Sequence, residues 1–210
     1  MKRLLFVFWV VATTALGQAN DKEIAYEQVV MQRAQKIVAA LQLPDSAQFK
    51  RVSHRVAKQY LDLNTLHEGV KAAKKTLTDP SEEKTKQLEA ETNAQLGQLH
   101  KNYLADLAKE LTPAQVDQVK DGMTYGVLPK TYRGYQEMLP DLTETQKVQI
   151  LTWLTEAREL AMDADTSEKK HAWFGKYKGK INNYLSAQGI DMKKAGQDWE
   201  KRIKEAKNKS

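Results

Sequence analysis

The sequence predicts an all-α protein: an elongated helical bundle with a long antiparallel helical hairpin and a C-terminal helical unit bearing a Tyr/Gly-rich ordered loop. Three observations carry this reading. Apolar residues recur at three- and four-residue spacing along most of the chain. Five helix starts carry an Asp or Thr followed three positions later by Glu or Gln, the signature of a capping box. No stretch alternates with period two, so no strand pattern competes.

Residues 1–19 read as a cleavable export signal. Lys2 and Arg3 form a basic start, Leu4 to Ala12 an apolar core, and Ala15, Gly17 and Ala19 supply small residues at peptidase spacing. The uncharged stretch is short and ends in polar residues, against the roughly 20 apolar residues a membrane span needs. The mature chain is therefore expected to be soluble, periplasmic or secreted, with no membrane span after cleavage. Removing Lys2 and Arg3 from the 33 basic side chains leaves 31 against 27 acidic ones. Basic and acidic residues are interleaved on most helices, which reads as solvated faces. The dense basic tail, Lys201 to Lys209, reads as a solvated helix rather than a nucleic-acid patch. With no cysteine, disulfides, thiolate metal sites and cysteine catalysis are excluded.

The helix starts fall at Asp45…Gln48, Asp79…Glu82, Thr112…Gln115, Thr143…Gln146 and Asp165…Glu168. Pro80 and Pro113 sit at first helical positions, where a missing N–H costs nothing. A first helix carries Val30, Ala34, Ile37, Val38 and Leu41. A second, about 45–77, and a third, about 80–110, share a short Thr-Asp-Pro turn and pair as the hairpin. Together these form an N-terminal region, 20–111. The C-terminal region, 112–210, continues the same domain. It holds a short helix near 113–120, the loop 121–141 with a helical turn near Tyr132–Met138, and helices near 143–164, 167–188 and 191–204. Gly189 reads as a helix-ending C′ residue.

Chemistry concentrates in the C-terminal half. Nine of the 13 aromatic residues after position 19 lie between Tyr125 and Trp199, with seven of the ten glycines between 122 and 196. Tyrosine and tryptophan offer an apolar face and a polar tip, which suits a sugar ring. Tyr125, Tyr132 and Tyr135 are candidate ligand contacts on the loop; pinning the loop to later helices is the competing role. Arg133 beside them offers a fork of donors. Arg158, His171, Trp173, Lys176, Tyr177 and Asn182 complete the candidate set, expected to converge on one cleft. Glu159 and Asp163, one helical turn apart, suit either acid–base work or ion pairing. Gly175 and Gly179 in mid-helix each cost about 1 kcal/mol relative to alanine, so close approach of a neighbouring segment is expected there. The four histidines show no metal-binding spacing, and no phosphate loop, dinucleotide fingerprint or serine-hydrolase elbow is present. No metal or cofactor is expected.

Two resemblances bear on function. The Leu-Thr-x-x-Gln pair, 111–115 and 142–146, resembles periplasmic stress chaperones of the Spy type, although a leucine before a capping box yields the same letters. The strings VKDGMTYGVLP (119–129), LTETQKVQILTWLTEARELAMD (142–163) and KHAWFGKYKGKINNYLSAQGID (170–191) resemble a domain-of-unknown-function family of secreted helical proteins. That family is associated with bacterial polysaccharide-utilisation genes and with sugar binding. It implies a carbohydrate-binding or carbohydrate-handling accessory protein whose partner is an oligosaccharide or polysaccharide. The alternatives are a polysaccharide-active enzyme, lyase- or hydrolase-like, using Tyr, His and Arg, and a helical interaction protein that docks a partner through the hairpin.

Overall fold

The computed structural model describes residues 11–76 and 81–208, with side chains from residue 24 onward. Most of the expected leader, together with Asp79 and Pro80 of the hairpin turn, lies outside the described residues. Among the described residues the chain is all-helical. Its elements are α1 (Val11–Ala39), α2 (Ser46–Thr76), α3 (Glu82–Leu107), α4 (Pro113–Met123), α5 (Val127–Met138), α6 (Glu144–Met162), α7 (Ser167–Ala187) and α8 (Met192–Asn208). No described helix is long and apolar enough to cross a membrane.

Cross-helix pairs give the topology. Arg51 meets Glu110, Arg55 meets Asp106, and Lys74 meets Glu89. One residue number climbs as its partner falls, so α2 and α3 run antiparallel along their whole length. Gln146–Gln188, Trp153–Tyr184 and Glu156–Lys180 give the same result for α6 and α7.

Local chemistry sets the ends. Thr112 and Thr143 each accept a hydrogen bond from the backbone N–H of a glutamine three residues on, and that glutamine reaches back to the cap. Leu111 and Leu142 beside them are buried. The repeated Leu-Thr-x-x-Gln is thus a capping box preceded by a buried leucine. Two starts shift by a residue or two: Ser81 caps α3 and Thr166 caps α7, while Asp165 pairs with Lys169. Asp45 accepts from Ala47 N and Gln48 N, yet the Gln48 side chain turns away to Glu110 O. Gly189, at φ +87°, closes α7 with bonds from Ile190 N to Leu185 O and from Gly189 N to Ser186 O, the Schellman arrangement.

The segment 121–141 corrects the sequence reading. It is the end of α4 and a full helix, α5, around a two-residue left-handed link, not a loop with one turn. Tyr125 (φ +60°) and Gly126 (φ +63°) make the link, and Gly126 N bonds back to Asp121 O at 2.8 Å. Pro129 is tolerated because it falls in the first turn of α5, where its missing N–H has no helical partner.

Two apolar clusters form. One joins α1, α2, the end of α3 and α4 through Val38, Val56, Tyr60, Leu107, Val119 and Met123. The other joins α5, α6 and α7 through Leu128, Tyr135, Leu154, Phe174, Ile181 and Leu185, and α8 lays Met192 against it. Met162, at the end of α6, inserts into the first cluster. Gly175 and Gly179 have open space where a Cβ would sit, so no segment approaches them and the expected close contact is absent. The close approach occurs at Gly122, where an added Cβ would lie 2.7 Å from Ile37 Cγ2.

Candidate functional site

The two clusters meet along a polar seam. From α3, His100 points Nε2 at Glu159 Oε2 (3.2 Å) and Nδ1 at Asp163 Oδ2 (2.9 Å). From α4, Lys120 donates to both Glu159 oxygens at 2.9 and 3.1 Å. From α2, His67 Nε2 donates to the Asp163 backbone carbonyl at 2.7 Å; a carbonyl only accepts, so that nitrogen carries the proton. Arg158, one residue before Glu159, turns the other way and donates to Asp121 Oδ1 (3.0 Å) and Asp117 Oδ1 (2.6 Å) of α4.

Electrostatics follow from this packing. Hydrogen bonding to Asp163, then to Glu159, raises His100 to about 9. Burial pushes the Glu159 carboxyl up, but His100, Lys120 and Arg158 outweigh it and hold it at about 2. Glu159 is therefore an anion at neutral pH and cannot lend a proton to a leaving group. Both His100 nitrogens already face carboxylates, so neither is free to take a proton from a ligand. The acid–base reading of Glu159 and Asp163 gives way to ion pairing, with α3 and α4 as the source of the cations rather than α7. Behind the seam, Lys170 is buried and donates to the carbonyls of Ala161 and Met162 at 3.0 and 2.9 Å. It closes the end of α6, and burial lowers it to about 8.

The seam opens into a cleft of about 870 Å³ between α3 and α7. Leu96, Gly97 and His100 form one wall, Trp173, Lys169 and Lys176 the other, and Leu160, Asp163 and Asp165 the floor. Lys176 Nζ lies 5.1 Å from the Trp173 ring centre. On the floor, one carboxylate oxygen each of Asp163 and Asp165, the Oδ1 atoms, is buried with no hydrogen-bond partner among the described residues. Among the described residues, no three His, Asp or Glu side chains gather as a metal would require.

The ten sequence candidates do not share this cleft. Trp173 and Lys176 line it. Tyr125 and His171 stack on each other elsewhere, with ring centres 5.5 Å apart and 12° between planes. Tyr135 is buried, and its hydroxyl donates to Asn182 Oδ1 at 2.7 Å, fastening α5 to α7; burial raises it to about 12. Tyr132 and Tyr177 pack against the second core cluster. Arg133 is exposed and, among the described residues, forms an ion pair with Glu137 at 3.7 Å. Arg158 is buried in its own ion pairs. One convergent cleft is thus replaced by a cleft, a stacked pair and a set of packing contacts. A helical core had no need of loop tyrosines, but the segment is a helix, so Tyr132 and Tyr135 are packing residues on its inner face. His67, His100 and Asp163 were missed as a group because they come from three helices far apart in sequence.

Comparison with known families fits a chain of this kind. A family model described as a protein of unknown function (DUF3826) matches residues 27–205. The chain belongs to the DUF3826 family. The match takes in the hairpin as well as the C-terminal segments, so seam and cleft fall wholly within the DUF3826 region. No curated protein matches the chain.

Proposed function

We propose that the protein binds carbohydrate in the cleft between α3 and α7, as an exported accessory protein of polysaccharide utilisation. One observation carries the proposal: the half-buried indole of Trp173 walls a cleft into which polar groups project from three other places. Asn93 comes from α3, Asp163 and Asp165 from the α6–α7 turn, and Lys169 from the start of α7. An aromatic face takes the C–H side of a sugar ring, and converging donors and acceptors take its hydroxyls. Lys176 now covers the indole, and its flexible exposed stem swings aside when a ring stacks. The resemblance read from the sequence of 119–191, to a family associated with polysaccharide-utilisation genes, is the support for export and substrate class.

A second reading rests on Leu96 and Leu160 on the same walls; Leu160 is 40% exposed. An apolar helix of a partner protein would cover them. Titration of intrinsic tryptophan fluorescence with neutral and uronate-containing oligosaccharides separates the two. Saturable quenching that disappears in Trp173→Ala supports sugar binding. No response to any oligosaccharide, with capture of an amphipathic helical peptide instead, supports the second reading.

A further inference from the structure

A second recess, of about 470 Å³, lies on a different face, between α1 and the α4–α5 link. Tyr60 and Tyr125 line it, with Arg33 and Lys36 of α1 above them. Three observations single it out. First, Tyr125 occupies the left-handed position after α4, at φ +60°, where glycine costs least. The residue is 45% exposed, so packing of the core does not ask for it. Second, His171 backs that ring in a near-parallel stack, holding an exposed aromatic surface in one orientation. Third, the recess is cationic. Arg33 lies 5.4 Å from the Tyr60 ring centre, and no ion pair engages Arg33 or Lys36 among the described residues. Asp121, the one carboxylate on the lining, already holds Arg158.

We propose that this recess is a second ligand site, for an acidic sugar residue, a uronate or a sulfated sugar. Tyr125 receives the ring, and Arg33 and Lys36 receive the carboxylate or sulfate. Arginine and lysine each suit such an oxyanion, one by a planar fork and one by a mobile point charge. The ring part of the assignment rests on the carbohydrate reading above; the charge part does not.

The test is calorimetric titration of the mature chain, at 150 mM salt on the order of the physiological value, with three probes. These are hexagalacturonate, a chondroitin sulfate hexasaccharide and neutral xylohexaose. The expected result is preference for an acidic probe, with affinity falling at least about tenfold in Arg33→Ala/Lys36→Ala and in Tyr125→Gly. Lys193→Ala/Lys194→Ala, which removes equal charge from exposed positions of α8, should leave that affinity unchanged. Acidic binding retained in both recess variants, or lost equally in the α8 variant, overturns the site. Binding of xylohexaose alone overturns this site and leaves the cleft. Binding of none of the three overturns both.

Discussion

His100 of α3 and Asp163 at the end of α6 stand 2.9 Å apart, Nδ1 to Oδ2, and this ion pair fastens the hairpin to the C-terminal helices. With Glu159 on the other ring nitrogen, it makes stability depend on pH in two opposite ways. His100 rises from its ordinary 6.5 to about 9, so its contribution is complete below about 6.5 and is lost as pH climbs through 9. Glu159 falls from 4.5 to about 2, so its contribution is complete above about 4.5 and is lost as pH drops through 2. The seam is tightest between about pH 4.5 and 6.5. The alkaline arm is worth on the order of 2–3 kcal/mol. Urea midpoints between pH 6 and 9 should decline in the wild type and lose that slope in His100→Gln; parallel slopes would refute the assignment. Lys170 works the other way, because burial lowers it from 10.5 to about 8. The cost of its buried charge is full below 8 and released between 8 and 10.5, so Lys170→Met should remove a recovery in that range.

Arg158 was a ligand candidate by sequence and is a structural cross-link by geometry. Its buried guanidinium ties α6 to Asp117 and Asp121 of α4. Its partners are solvent-accessible, Asp117 at 58% and Asp121 at 27% exposure, so removing the guanidinium strands no buried charge and costs about 1–3 kcal/mol in lost charged hydrogen bonds and packing. Arg158→Ala should lower the denaturant midpoint accordingly, with any ligand affinity of the folded protein unchanged. A variant that keeps its stability and loses ligand would return Arg158 to the binding site.

Gly175 and Gly179 are exposed on α7 with nothing near their missing Cβ positions. Alanine at either should stabilise by about 0.5–1 kcal/mol, through helix propensity and a less entropic unfolded chain. Thermal unfolding of Gly175→Ala/Gly179→Ala should show a higher midpoint. A lower midpoint would mean that these positions serve a contact outside the described chain.

Gly122 is the opposite case. Its Cβ would meet Ile37 Cγ2 at 2.7 Å, at the junction of α1 and α4. Gly122→Ala should cost about 1–3 kcal/mol by overpacking, and adding Ile37→Ala should recover part of that loss. A purely additive double mutant, measured by urea unfolding, would show that the two positions do not touch.

How much was legible follows from which physics is local. Thr112, Thr143 and Gly189 announced their helix ends because a cap is settled within a few residues. The hairpin was legible because two long periodic segments flank a short turn. Helix α5 is not legible in the sequence: Gly126, Pro129 and Gly134 obscure an apolar spacing, Leu128, Tyr132, Tyr135, Leu139, that is helical. The first two sit where helices tolerate them, at the N-cap and in the first turn. The seam was not legible at all. His67 and Asp163 are 96 positions apart, and periodicity marks which face of a helix is buried without naming what it meets. Trp173 stands out by the aromatic bias and Lys176 as a polar residue on the same stripe, signals that do not separate them from Tyr135 and Asn182, which bond to each other between α5 and α7.

The most direct measurement is thermal unfolding of the protein lacking residues 1–19 against a panel of neutral and uronate-containing oligosaccharides, in wild type and Gly97→Phe. Gly97 lines the cleft and has open space at its Cβ position, so phenylalanine there fills the cleft on an exposed helix without crowding the core. A ligand at 100 times its Kd adds about 2.7 kcal/mol, which for a domain of this size is a rise of several degrees. The account predicts a rise in the wild type with at least one neutral oligosaccharide, and none in Gly97→Phe, whose unliganded midpoint is equal or higher. A rise of the same size in both proteins with a neutral oligosaccharide, or none in the wild type with any neutral oligosaccharide, would contradict it.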